Sequence, residues 1–172
     1  YMVEQLEQHI RFGDLALADA LRRAAEPLPL REHSFSGSPG WQPEITYRGA
    51  RYTDLGELGG ELAGRGIVTR AAADALAGLA GDILHDGVLD LSGRKIVRLG
   101  GGAEMAPTRL WLEAGAEVLW IDLHAPPQEW LSNAALAGRI RWVEAGVDLL
   151  AQPARTLATI VEFAAGQPLD LG

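Results

Sequence analysis

Apolar positions change their period near the middle of this chain. Up to about residue 88 they recur at helical spacing or scatter among Gly, Pro and Ser, and from Leu89 they gather into short runs bounded by turn residues. Three runs, RKIVRLG at 94–100, AEVLWIDL at 116–123 and GRIRWVEAG at 138–146, are rich in β-branched and aromatic residues and are separated by segments able to form helices. Such alternation predicts parallel strands joined by crossovers. A helix is expected from about Ala103 to Ala114, with Pro107 in its first turn and Gly115 as its stop. Another is expected from Pro153 through ARTLATIVEFAA, with Leu157, Ile160, Val161 and Ala164 on one face and Gly166 as its stop; PLDLG then offers a fourth strand.

The first half reads differently. Val3, Leu6, Ile10, Leu17 and Leu21 fall on one helical stripe, which predicts one or two amphipathic helices over 3–25 with a break and a new N-cap at Gly13-Asp14. EPLPLREHSFSGSPG (26–40) lacks strand alternation and reads as a linker or covering loop, while ITYRGARYT suits a small hairpin around Arg48-Gly49. Asp54 is placed to cap a helix through about Gly64, and Thr69 a second through about Leu84. The expected fold is therefore α/β: a Rossmann-like parallel sheet of three or four strands over 89–172, preceded by a mainly helical region over 1–88 with the loop and hairpin at 26–53. A sheet that stops at its fourth strand leaves an open edge, so a homo-oligomer or a partner chain completing the sheet is expected.

Composition narrows the class of ligand. A net charge of −8 and scattered basic residues argue against nucleic acid, which needs a cationic face. The absence of cysteine removes disulfide and thiolate chemistry, and His9, His33, His85 and His124 lack zinc-ligand spacing, so no metal is expected. No run approaches the roughly 18 apolar residues that span a bilayer, and the start lacks a basic stretch followed by an apolar one, so a cytoplasmic protein without membrane contact is expected.

The chemistry concentrates at RLGGGAEMAP (98–107), where three glycines follow a strand and lead into a helix. Glycine lets backbone approach a pyrophosphate closely, and an acid about twenty residues on takes ribose hydroxyls; Asp122 stands at that distance from Gly102. Gly100, Gly101, Gly102 and Asp122 are thus the candidate nucleotide contacts. The competing reading is a tight strand-to-helix turn followed by a loop aspartate. Glu104 is the discordant residue, since its carboxylate occupies positive potential that a phosphate would use.

From Leu89 onward these features resemble the N-terminal half of a short-chain dehydrogenase/reductase: LDLSGRKIVRLGGG its opening strand and glycine turn, LEAGAEVLWIDL its first helix end and second strand, and RWVEAGVDLLAQPARTLATIVEFAAGQPLDLG its third strand, next helix and approach to the fourth strand. The resemblance implies an NAD(P)-binding oxidoreductase, with an aspartate at position 122 favouring NAD over NADP. The family's Thr-Gly-x-x-x-Gly-x-Gly pattern falls on Leu99, Gly100, Glu104 and Ala106, and its adenine-contacting acid on Gly146, with Asp148 two places late. Its Tyr-x-x-x-Lys pair has no counterpart: the one lysine is Lys95, and Tyr1, Tyr47 and Tyr52 all precede the resemblance. The resemblance therefore implies a catalytic half outside this sequence. The stretch IVRLGGGAEMAPTRLWLEAGAEVLWIDL is also similar to the first motif of S-adenosylmethionine methyltransferases, although Arg98 stands where that family commonly has an acid. A third reading is a non-catalytic assembly subunit.

Around the turn, His124 follows Asp122 at the strand ends and is either a base or ligand contact or a solvated loop residue. Asp148 either holds an adenine amine or caps the coming helix. Arg109 reads as a ribose-phosphate contact or a helix-surface arginine, and Trp111, Trp120, Trp130 and Trp142 as core or interface residues.

Overall fold

The computed structural model describes residues 26–103 and 106–171, with residues 11, 12, 14–16 and 19 ahead of them. Glu104 and all five residues of the stripe over 3–25 lie outside the described residues. What is described there is a two-residue ladder and one helical residue, Asp19: β1 (Arg11–Phe12) pairs antiparallel with β2 (Leu15–Ala16) around a turn at Asp14, so the chain reverses at the expected break and residues 11, 12 and 14–16 are not helical.

Each β-rich run forms a strand: β6 (Lys95–Leu99), β7 (Glu117–Ile121) and β8 (Arg139–Trp142), after β3 (Arg31–Ser34) and the hairpin of β4 (Ile45–Tyr47) and β5 (Ala50–Tyr52). A short β9 (Asp170–Leu171) forms within PLDLG. The main sheet has the order β3-β8-β7-β6-β9, in which β8, β7, β6 and β9 run parallel and β3 antiparallel. The protein is a mixed α/β structure.

The edge strand β3 corrects the expectation of a loop at 26–40. Burial alternation is missing because an edge strand exposed on both sides does not need it; polar REHS is held instead by the ladder and by charge, with Glu32 bridging Arg139 and Arg141 and Arg31 pairing with Glu144. The region ahead of residue 89 thus supplies a strand to the sheet. Between that strand and residue 89 lie the helices α1 (Leu55–Gly64) and α2 (Arg70–Ile83). Both start at the expected caps: the Asp54 carboxylate accepts from Gly56 and Glu57 N–H, and the Thr69 hydroxyl from Ala72 N–H. They close on each other at Gly59, where a Cβ would press on Ala73 at 3.3 Å.

Alternation along the strands divides the core between two faces. Ile96, Val118, Trp120 and Ile140 face α3 (Thr108–Glu113), which contributes Leu112, and Val97, Leu119 and Ile121 face α5 (Pro153–Ala164), which contributes Phe163. The β6-to-β7 connection runs one way across the first face. The β8-to-β9 connection runs back across the second, and reversing both direction and face gives the two crossovers the same hand. The β7-to-β8 connection holds only one helical turn, α4 (Gln128–Leu131).

Two helices differ from expectation. α3 begins at Thr108 with Pro107 as its N-cap, five residues beyond the expected start at Ala103, because Ala103 and Ala106 N–H are used in successive turns. α5 has the expected extent but an inward face rotated from the expected stripe: Thr156, Thr159 and Phe163 are buried and Ile160 packs beside them, while Leu157 and Val161 are exposed. The threonines tolerate burial because each hydroxyl donates to the carbonyl four residues back (2.8 and 2.7 Å) and Thr159 also accepts from Leu28 N–H at 2.8 Å. That last bond ties the segment leading into β3 onto α5.

Candidate functional site

The glycine turn sits where β6 ends, and each glycine has its own reason to be there. Gly100 has φ 69°, a left-handed conformation that a side chain resists, and its N–H donates to the Ile121 carbonyl at 2.8 Å, extending the ladder past the strand. Gly101 lies on the Trp120 indole; a Cβ there would overlap the ring carbons Cε3 and Cδ2. Gly102 points its N–H at Asp122 Oδ2 at 2.9 Å.

Asp122 closes the other side. Its second oxygen, Oδ1, accepts from His124 N–H at 3.2 Å, and the His124 carbonyl accepts from Trp120 Nε1 at 2.7 Å. Trp120 is thereby held at its polar edge by the loop after β7 and at its face by Gly101. It also meets Trp130 edge-on at 5.7 Å, within a core flanked by Trp111, Trp130 and Trp142, so the tryptophans pack the sheet against its helices. The Asp122 carbonyl accepts from Val147 N–H at 2.7 Å, and Gly146, with φ 76°, packs so closely on the Leu123 carbonyl that a Cβ would collide with it. The ends of β6, β7 and β8 are thus laced together.

The structure brings Gly100, Gly101, Gly102, Asp122 and His124 into one constellation at the carboxyl ends of neighbouring strands. His124 enters through its main chain, its residue being exposed. Asp148 is engaged locally: Oδ1 accepts from Leu150 and Ala151 N–H at 2.9 and 3.2 Å, which caps the turn before α5. Arg109 pairs with Glu113 at 3.0 Å one helical turn along, as a surface arginine does. Thr108, which sequence reasoning passed over, is fully buried with its hydroxyl 3.4 Å from the Gly101 carbonyl. A threonine opening a helix after a glycine turn was the available signal.

The arrangement offers a carboxylate flanked by backbone N–H groups beside a fixed indole, at the end of the sheet where open α/β structures take their ligands. Among the described residues no three His, Asp or Glu side chains gather as metal ligands, and no helix is long and apolar enough to cross a membrane. Comparison of the chain with family models, with curated proteins and with solved structures gives no match.

Proposed function

We propose that this chain is an NAD(P)-binding protein of the short-chain-dehydrogenase type, with a Rossmann-like sheet that takes the adenosine half of the cofactor at the ends of β6 and β7. One observation carries the reading: numbered from β6, the parallel strands lie in the order 3-2-1-4, and the glycine turn leaves strand 1 beside the point where that order reverses. In this reading Gly100 to Gly102 approach the phosphates and Asp122 takes the ribose hydroxyls, with NAD preferred because a 2′-phosphate would meet a carboxylate. Hydride transfer would draw its proton donor from another segment or a partner chain, since Tyr47 and Tyr52 belong to the separate β4–β5 ladder.

The contacts of Gly101 and Asp122 favour a second reading, in which the turn is structural and the domain serves assembly. Thermal unfolding at fixed protein concentration, with NAD, NADP, S-adenosylmethionine or buffer, separates the two. A ligand at a hundred times its dissociation constant stabilises the native state by about 2.7 kcal/mol, enough to raise the midpoint by several degrees. A rise with NAD that is lost in Asp122→Ala supports the cofactor reading, and a rise with S-adenosylmethionine alone replaces it with the methyltransferase reading. No rise with any of them leaves the structural turn.

A further inference from the structure

Two backbone N–H groups converge on one carboxylate at the proposed site, Gly102 on Oδ2 and His124 on Oδ1. Backbone N–H groups gathered in a turn bind phosphate oxygens in the same way, so the carboxylate sits where a ligand anion would compete for the Gly102 N–H. We propose that Asp122 is a built-in competitor for the anion position of the glycine turn and that ligand binding is an exchange: Gly102 N–H passes to a phosphate oxygen while Asp122 turns to the ribose hydroxyls. The inference rests on the cofactor reading above.

A side-chain rotation suffices for the exchange. The Asp122 main chain is held through Val147 N–H, the glycine turn through Gly100 N–H on Ile121, and the His124 main chain through the Trp120 indole. Rotating the carboxylate leaves these three bonds in place and releases two N–H groups together. A bare anion must displace the carboxylate against charge repulsion and offers nothing back. A ligand carrying both phosphate and ribose supplies a new partner to each side. The turn should therefore discriminate against free phosphate and pyrophosphate in favour of nucleotides.

The test is an NMR titration of the 15N-labelled chain and of Asp122→Asn, which keeps the shape and one acceptor for Gly102 but removes the charge. NAD added to the unaltered chain should shift the Gly102 and His124 amide resonances together, and inorganic pyrophosphate should bind Asp122→Asn about tenfold more tightly than the unaltered chain. If NAD binds while His124 stays unmoved, or if pyrophosphate binds the variant no better, the competitor is refuted and the cofactor reading stands. If NAD binds neither protein, both fall. Should Asp122→Asn fail to fold, the His124 resonance of the unaltered chain decides alone.

Discussion

The α1–α2 hairpin and the parallel sheet are both rich in apolar residues, Ala and Leu in the helices and Ile, Val, Leu and Trp in the core strands, and they bury them to very different extents. RAAADALAGLAGDI buries only Ala73, and α1 only Leu58 and Gly59, while Leu79 and Ile83 stand about half exposed at 55% and 46%. In β7, Val118, Leu119 and Ile121 are sealed from solvent, with helices on both sides of the sheet. The hairpin is held by its caps and one close helix crossing, the sheet by side chains that have no other place to go. Composition therefore says little about stability without the neighbour that covers it.

The largest effect should come from the sheet. Leu119→Ala removes a side chain at 0% exposure and is expected to cost about 2–5 kcal/mol in urea unfolding; a loss below about 1 kcal/mol would break the comparison. Gly101→Ala should come next, at about 1–3 kcal/mol, because the new methyl overlaps the Trp120 ring. Adding Trp120→Leu should make that methyl far cheaper, and strict additivity of the two changes would show that the indole is not what demands glycine. Thr69→Ala should cost about 1 kcal/mol through the lost cap on Ala72 N–H. Leu79→Ala should stay within about 0.5 kcal/mol of the parent. Native-state hydrogen exchange sharpens the contrast: amides of α1 and α2 should exchange through local opening while those of β7 wait for global unfolding. Equal protection in the two regions would mean that the hairpin is anchored more firmly than its burial indicates.

How far the residues themselves announced this structure depended on how local the signal was. The three core strands, the caps at Asp54 and Thr69, the hairpin at Arg48-Gly49 and the strand in PLDLG were legible because each is set by short-range pattern and turn chemistry. β3 was not legible, since REHS becomes a strand by pairing with β8, more than a hundred residues away. The inward face of α5 was misjudged for a related reason: Thr159 is worth burying because Leu28 N–H needs an acceptor there, and no helical period encodes that. At the candidate site the glycines and Asp122 were legible as a constellation. The engagement of Gly101 with Trp120, of Gly102 with Asp122 and of Asp148 with its own turn was not.

The residues alone, then, specify the alternation of strand and helix after Leu89, the starts of α1, α2 and α5, and the placing of a glycine turn and an acid at the ends of successive strands. These follow from backbone propensity, side-chain period and capping, all of which act within a few residues. Only the tertiary structure decided which strand closes the sheet edge, which face of α5 turns inward, and that the carboxylate of Asp122 grips the turn it was expected to serve. Those outcomes depend on hydrogen-bond partners and steric neighbours brought together from distant parts of the chain, and they exist only once the sheet has formed.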